Sequence, residues 1–377
     1  MQRRSLMKFK RCISAICSSA LVLGLSFLLY PQPNRSTGAT VSPTGTVAPT
    51  LTPEATSPAN SSDPTQSATQ APNNSASPTV APEVAFLPLL TGDLKEPLPA
   101  VSDLVTAYVT AYYNNDSETI ATLVTDPSLF DASAMENDCK NAKRMENLEL
   151  YSKPGLDGVF SIVYATYSLY YSDLQISVPQ FSEYYVKRMA DGTFLIQTAP
   201  LSEKTAEVFT QARQAGGALE LAVSTLIRRY HNACLAVNEP LLKQCVTNPD
   251  YLNLNYIDSR YSVTESFSDY DFLIYNGINE FDYVAFVTHK EKIVFSDTPA
   301  PCMESYYIEV DEATGVPSIY LGITSLDTDA YCASLIQSDT IQELAKQTNT
   351  AMQNALMSDD DLKEFYQLLV SNSSEEG

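Results

Sequence analysis

The tetrapeptide VTDP at residues 124–127 recurs as VTNP at residues 246–249, which is 122 positions further along the chain. The same offset pairs other residues without a gap across roughly 80 positions. These pairs are Tyr108 and Tyr230, Ala111 and Ala233, Gly155 and Gly277, Thr166 and Thr288, Pro179 and Pro301, and the Tyr-Tyr dipeptides at 184–185 and 306–307. An unbroken register over this length indicates an internal duplication. The sequence therefore predicts two copies of one domain.

Each copy places helical patterns before strand patterns. In the first copy apolar residues recur at helical spacing over 101–114, and a short second helix is expected to end at Leu123. The second copy has corresponding patterns at 203–237 and 239–245. Strands are predicted at 146–151, 158–170, 182–189 and 193–197, and at 270–275, 281–289, 292–295, 303–310 and 318–323. Helices followed by antiparallel strands indicate an α+β fold.

The order of elements, the length of each copy and one repeated pattern resemble the NTF2-like (cystatin-like, SnoaL-like) superfamily. The pattern is Tyr-x-x-Ala followed by Val-Thr-x-Pro, and it starts at Tyr108 and again at Tyr230. The resemblance covers about residues 101–325 and includes no diagnostic motif. It implies two tandem NTF2-like domains, 97–200 and 201–326, in each of which a helical hairpin packs on a curved antiparallel sheet.

The resemblance implies several functions and does not choose among them, because one fold supports unrelated activities. The superfamily includes isomerase-like and dehydratase-like enzymes as well as binding and scaffold domains without catalysis. Its membrane-anchored tandem members resemble scaffold subunits of conjugative secretion machines.

The N-terminal part of the chain is typical of a membrane anchor followed by a spacer. Residues 1–11 contain five basic residues and no acid, and the largely apolar segment 12–30 follows. This order predicts a transmembrane signal anchor with a cytoplasmic N-terminus. The alternative is a signal peptide that is cleaved within 36–40, which would make the protein secreted. Residues 31–84 are rich in Pro, Ser and Thr and predict a disordered linker.

The charge of the chain separates into two parts. The formal net charge is −22, and the first eleven residues contribute +5, so the remainder carries −27. Nucleic-acid binding is excluded on this basis, because neutralising phosphates needs clustered Lys and Arg. The predicted location is the cell membrane of a bacterium, with a single span and most of the chain outside the cell.

Catalytic motifs are missing from the sequence, which has no phosphate-binding glycine loop, zinc-protease helix or serine-hydrolase elbow. The only histidines are His231 and His289. The corresponding positions of the first copy hold Val109 and Tyr167, so both histidines are expected at the surface or rim. No catalytic residue, metal site or cofactor is predicted.

An isomerase-like site would need a carboxylate base and a tyrosine or acid donor that meet inside the cone of the sheet. Tyrosine is abundant, with 23 residues. The candidates for lining such a cone, and so for contacting a ligand, are Tyr108, Tyr112, Tyr164, Tyr230 and Tyr283. Their other interpretation is that they fill the core and rim of a curved sheet, where tyrosine supplies a large apolar area with a polar tip.

Five cysteines lie beyond the predicted anchor. Cys302 with Cys332 is one candidate disulfide and Cys234 with Cys245 is another, while unpaired buried thiols are the third interpretation. The tail 327–377 is predicted to be helical, with helices at 338–357 and 359–370. These helices are expected to pack back on the second domain, or else to present their apolar stripe to a partner.

These observations predict a non-catalytic binding or scaffold module that is anchored to the membrane and displayed outside the cytoplasm. Its expected partners are the membrane, through the N-terminal helix, and a protein or another component of the cell envelope. One alternative is a small-ligand-binding protein or an isomerase-like or dehydratase-like enzyme that uses one cone. The other alternative is a scaffold component of a conjugation or secretion channel.

Overall fold

A computed structural model describes residues 94–154, 159–172, 176–213 and 217–373 of the chain. These residues form two four-stranded antiparallel sheets together with helices, which confirms the predicted mixed α+β class. Each sheet is a simple meander in which consecutive strands are neighbours. Residues 94–200 are called repeat 1 below, residues 201–325 are called repeat 2, and residues 326–373 are called the tail.

The elements of the described residues run as follows. Repeat 1 contains α1 (Pro99–Tyr113), α2 (Ser117–Leu123), α3 (Ala132–Cys139), β1 (Ala142–Pro154), β2 (Phe160–Tyr171), β3 (Ser177–Arg188) and β4 (Phe194–Ile196). Repeat 2 contains α4 (Glu203–Arg213), α5 (Gly217–Leu235), α6 (Glu239–Cys245), α7 (Leu254–Tyr261), β5 (Thr264–Asn276), β6 (Asp282–Ile293), β7 (Ala300–Val310) and β8 (Pro317–Ile319). The tail contains α8 (Leu326–Ile336), α9 (Asp339–Ser358) and α10 (Asp360–Ser373).

The bounds of the elements repeat along the chain. The helices α2 and α3 and the strands β1 and β2 coincide at both ends with α6, α7, β5 and β6 when 122 is added to their residue numbers. The irregularities repeat as well. Asn147 and Asp269 lie at the same place in β1 and β5, each next to a shift in strand register, with φ of 57° and 51°. Such bulges bend and twist a strand, so the two sheets share the same local distortion.

The repeated tetrapeptide at 124–127 and 246–249 has a defined structural role. Val124 and Val246 form parallel bridges to Ile196 and Ile319, which ties the helical part of each repeat to its last strand. The third residue of the tetrapeptide, Asp126 or Asn248, caps a 3₁₀ turn. Its proline begins that turn, where a missing N–H costs no hydrogen bond.

Each sheet is covered on both faces. The inner face of a sheet packs against the helices of its own repeat, and the outer face packs against the helices that follow in the chain. On the outer face of sheet 1, Ile162 and Tyr164 lie against Phe209 of α4 and Ala218 of α5. The corresponding contacts of sheet 2 join Val284, Phe286 and Met303 to Leu335 of α8 and Ile341 of α9.

The tail packs on sheet 2, as the sequence predicts for its apolar stripe. Its first helix, α8, lies in the part of the predicted helical tail for which the sequence gives no separate helix, whereas α9 and α10 correspond to the helices expected at 338–357 and 359–370. A second apolar cluster joins Leu356 and Phe365 of the tail to Ile293 and Ala300 of sheet 2.

Other elements differ from the sequence prediction. The helix expected over 203–237 is present as α4 and α5, and the helices α3 and α7 were not expected. The strands expected at 281–289 and 292–295 form the single strand β6. The charged run from His289 to Lys292 interrupts the apolar pattern there, but the strand continues because Glu291 is paired inside the fold.

None of the helices in the described ranges is both long and apolar enough to cross a membrane. The predicted anchor at 12–30 and the predicted linker at 31–84 lie outside the described residues.

Candidate buried polar site in repeat 2

A group of polar side chains is buried on the inner face of sheet 2, beneath α5. Alternate residues of a strand point to the same face, so His289 and Glu291 of β6 face inward, as do Glu304 and Tyr306 of β7. His231 of α5 approaches this face from the opposite side. The name polar cluster is used below for His231, Tyr270, His289, Glu304 and Tyr306.

His231 is at the centre of the polar cluster. Its Nδ1 lies 2.8 Å from the hydroxyl of Tyr270, and its Nε2 lies 2.9 Å from Oε2 of Glu304 and 2.6 Å from the hydroxyl of Tyr306. Tyr306 in turn donates its hydroxyl proton to Glu304. Because His231 has no exposed surface, these three groups satisfy both nitrogens of the imidazole without water.

Glu304 is a buried carboxylate that the structure keeps ionised. Burial alone would raise its pKa, but the electrostatic interaction with His231 and the hydrogen bonds from His231 and Tyr306 hold the pKa of Glu304 well below its usual range. The site therefore contains a fixed negative charge with only 4% of the residue exposed.

His289 differs from the other members because neither of its ring nitrogens has a hydrogen-bond partner. It is 2% exposed, and its ring centroid lies 5.0 Å from that of His231. Burial lowers the pKa of His289 to about 4, although the negative charge of Glu304 opposes this effect. The imidazole is therefore neutral near pH 7 and offers a free lone pair to the interior of the cluster.

A second charged pair lies next to the polar cluster. Arg260 of α7 donates two hydrogen bonds of 2.9 Å to the two carboxylate oxygens of Glu291, and the hydroxyl of Thr264 donates to the same group. Burial would raise the pKa of Glu291, but the Arg260 guanidinium and these hydrogen bonds lower it. Cys302 lies 3.8 Å from the Glu291 carboxylate, and burial raises the pKa of its thiol well above the usual value.

Two sets of these side chains bring metal-ligating atoms within 4.8 Å of one another. The first set is His231, His289 and Glu304, and all three residues are buried. The second set is His289, Glu291 and Cys302, in which both oxygens of the carboxylate already bind Arg260.

Repeat 1 has no comparable cluster at the corresponding positions. Val109, Tyr167 and Ser182 stand where repeat 2 has His231, His289 and Glu304. The hydroxyl of Tyr167 lies 3.0 Å from that of Tyr113 and 2.9 Å from Ser182 Oγ. The same scaffold is thus filled by a tyrosine–serine network in one repeat and by ionisable groups in the other.

The tyrosines selected from the sequence have different positions. In repeat 1, Tyr108 packs edge-on against Tyr184 on the inner side, and Tyr112 donates a 2.7 Å hydrogen bond to Asp138 near the surface. In repeat 2, Tyr230 and Tyr283 belong to the inner core. Tyr164 does not line the inner face, because it lies on the outer face of sheet 1.

The cysteine candidates are not paired in the structure. Cys302 and Cys332 are free, as are Cys139, Cys234 and Cys245. Cys302 packs with the tail cluster around Phe365, whereas Cys332 packs with the cluster around Phe286.

The expectation that His231 and His289 lie at the surface or rim is wrong, because both are fully enclosed. The alternative of a ligand in one cone included neither histidine among its candidate residues, which are all tyrosines. Three differences between the repeats, all at inward-facing positions, are the feature of the sequence that indicates the polar cluster. Val109, Tyr167 and Ser182 are replaced at the same offset by two imidazoles and a carboxylate.

The chemistry of the polar cluster favours binding over proton transfer. A general base of the isomerase type needs a carboxylate with a pKa raised towards neutrality. Glu291 and Glu304 instead have lowered pKa values, because cationic or hydrogen-bonding partners stabilise their charged forms. A fixed anion beside an unpartnered neutral imidazole is suited to holding a cation.

Comparisons with known proteins do not identify a family for this chain. The chain matches no protein-family model, and no curated protein was found to be similar to it.

Proposed function

We propose that this protein is a membrane-anchored binding module that is displayed outside the cytoplasm, with its binding site inside repeat 2. The observation that carries the proposal is the polar cluster, which occurs in repeat 2 and has Val109, Tyr167 and Ser182 as its counterparts in repeat 1. Repeat 1 and the tail then act as supports that cover or extend repeat 2.

We infer further that each repeat is an NTF2-like domain. The support is the repeated order of two helices, a 3₁₀ turn, a third helix and a four-stranded meander with a bulge in its first strand. In such a domain the inner face of the sheet forms the ligand-binding cone, and this face carries the polar cluster.

The anchor and the linker are proposed from the sequence alone. Five basic residues precede the apolar segment 12–30, and the Pro/Ser/Thr-rich segment 31–84 separates it from repeat 1. This order favours a signal anchor whose stalk holds the repeats away from the bilayer.

Display outside the cell can be tested with protease treatment of intact cells that express the full chain. We expect the chain in the membrane fraction and expect added protease to release a fragment that contains both repeats. Complete protection in intact cells, with digestion only after lysis, would contradict the proposed topology.

The position of the binding site can be tested by giving repeat 2 the residues of repeat 1. The triple variant His231→Val, His289→Tyr, Glu304→Ser replaces the ionisable groups with side chains that the same scaffold already accommodates. We expect ligands that raise the melting temperature of the full chain in a panel of ions and metabolites to lose this effect in the variant. A shift of equal size in both proteins would place the site elsewhere.

A further inference from the structure

We propose that His231, His289 and Glu304 bind a divalent transition-metal ion, with Zn²⁺ as the best match. The inference rests on the proposed function in one respect, since it names the ligand class of the site in repeat 2. The three side chains come from α5, β6 and β7, so the ion would join the helix to the two central strands of the sheet.

The donor set fits Zn²⁺ in type and in spacing. Two imidazole nitrogens and one carboxylate oxygen are a common ligand set for zinc, at about 2.0–2.2 Å from the ion. Tetrahedral geometry at these lengths separates ligand atoms by about 3.3 Å. The three candidate atoms already lie within 4.8 Å of one another, so no pair has to close by more than about 1.5 Å.

The side chains around the set are arranged as outer-shell partners. Metal-binding histidines donate their second ring N–H to an oxygen acceptor, which fixes the orientation of the ring. When Nε2 of His231 faces the ion, its Nδ1 lies 2.8 Å from the hydroxyl of Tyr270. The hydroxyl of Tyr306 donates to Glu304 and orients that carboxylate.

His289 is the member that a purely structural network does not explain. A buried polar group without a hydrogen bond costs about 1–3 kcal/mol, and such groups are rare in folded proteins. Both nitrogens of His289 are unpartnered at 2% exposure. Repeat 1 places Tyr167 at this position and satisfies its hydroxyl, so the scaffold itself does not require a histidine there. A metal ion would give the free lone pair its partner.

The neighbouring set of His289, Glu291 and Cys302 is the weaker alternative. Both carboxylate oxygens of Glu291 accept hydrogen bonds from Arg260, so an added cation would have to displace or approach a guanidinium. The hydrogen-bond partners of Glu304 are a ring nitrogen of His231, which is itself a ligand in the proposed set, and the hydroxyl of Tyr306, so no guanidinium occupies its oxygens.

The test is a measurement of Zn²⁺ binding by the full chain in detergent. After chelator treatment, Zn²⁺ is added in competition with a chromogenic chelator, and the retained metal is quantified by mass spectrometry. We expect one tightly bound ion per chain. Tyr270→Phe should weaken binding by about tenfold through loss of the outer-shell contact, and His289→Gln and Glu304→Gln should each weaken it more.

Two controls make the result specific. Glu265→Gln removes an exposed carboxylate of β5 and should leave the affinity unchanged. Substitution with Co²⁺ should produce no thiolate-to-cobalt charge-transfer band, which separates the proposed set from one that contains Cys302. Circular dichroism of the metal-free variants checks that His289→Gln and Glu304→Gln remain folded.

The proposal is overturned if the folded full chain retains no Zn²⁺, if folded His289→Gln binds as tightly as the parent, or if the cobalt spectrum shows a thiolate ligand. None of these results affects the outcome of the protease experiment. If the repeats are displayed outside the cell and no metal binds, only the metal site is refuted.

Discussion

Val237 is a β-branched residue with a left-handed backbone conformation, at φ of 46°. Its counterpart at the same offset in repeat 1 is Asn115, at φ of 56°. The left-handed region costs most residues roughly 1–2 kcal/mol, and asparagine tolerates it better than valine does. We therefore expect Val237→Asn to raise the free energy of unfolding by about 1 kcal/mol, as measured by urea denaturation.

The reverse exchange is the matched control for this prediction. Asn115→Val should lower the free energy of unfolding by a similar amount, because it introduces the strain that Val237 already carries. If Val237→Asn destabilises the protein instead, the apolar contacts of the half-buried valine outweigh the relief of backbone strain.

His289 should make the stability of the metal-free protein depend on pH. Its pKa is about 4 in the folded protein because of burial, against about 6.5 for an unfolded histidine. Between these values the unfolded chain binds the proton more tightly, so stability falls as the pH is lowered from about 6.5 towards about 4. The loss approaches about 3 kcal/mol near the lower limit. The charged and titratable groups around His289 are Glu304, His231, Glu291 and Arg260.

Comparison with His289→Gln isolates this contribution. The carboxylates Glu291 and Glu304 have lowered pKa values, so their stabilisation is present above the unfolded pKa of about 4.3 and is lost at more acidic pH. Urea denaturation between about pH 7 and about pH 4.5 should therefore show a decline in the parent that is clearly smaller in His289→Gln. If the free energy of unfolding declines equally with pH in the two proteins, the lowered pKa of His289 is contradicted.

The residue scale is also where sequence reasoning was least successful. The offset of 122 relates His231 to Val109 and His289 to Tyr167, but it does not show which face of a helix or strand these positions occupy. Burial of a histidine is also set by its partners, and the carboxylate of Glu304 lies 73 residues from His231. A contact over this distance follows from the tertiary fold and not from local pattern.

At the scale of elements, the ion pair between the half-buried Arg260 and the buried Glu291 joins the short helix α7 to β6. Removing one partner of a buried ion pair leaves an uncompensated charge and typically costs about 3–5 kcal/mol. We expect Arg260→Leu to lower the free energy of unfolding at neutral pH by about this amount. The cost should shrink in acid, because protonation of Glu291 removes the unpaired charge.

A double variant checks the cause of that loss. Arg260→Leu combined with Glu291→Met removes both charges, so much of the stability should return relative to Arg260→Leu alone. If the double variant is less stable than the single one, the defect lies in packing around α7 and not in the unpaired carboxylate.

Elements with local determinants were predictable from the sequence. The helices α2 and α6 follow capping residues, since Asp116 accepts a hydrogen bond from Thr119 N and Asn238 accepts one from Leu241 N. The strand β6 was divided in the prediction because its polar residues resemble a turn when their buried partners are unknown. The helices α3 and α7 are also capped, by Asp131 and Asn253, but the sequence does not reveal them because each is largely polar and buries only one or two side chains.

At the scale of the whole molecule, the offset of 122 extends beyond repeat 2. Adding it to the start of α5 gives residue 339, which is where α9 begins, and the outer face of sheet 2 is covered in the way that α4 and α5 cover sheet 1. At the same offset Ile341 of α9 corresponds to Leu219 of α5, and both residues are buried. The order of helices and sheets along the chain can therefore be predicted from the sequence. The contacts that bury each of these layers cannot, because they depend on the tertiary fold.

The tail should therefore be essential for the stability of repeat 2. It covers Tyr275, Val284, Phe286 and Met303, and full burial of such side chains contributes roughly 1.5–3 kcal/mol each. We expect a chain that ends at Ser325 to bind the dye ANS and to aggregate on gel filtration. A graded test is Ile341→Ala, which should cost about 2–5 kcal/mol because the residue is fully buried, whereas Thr340→Ala at the adjacent exposed position should be nearly neutral. A truncated chain that stays monomeric with an unchanged melting temperature would show that the outer face of sheet 2 does not need this cover.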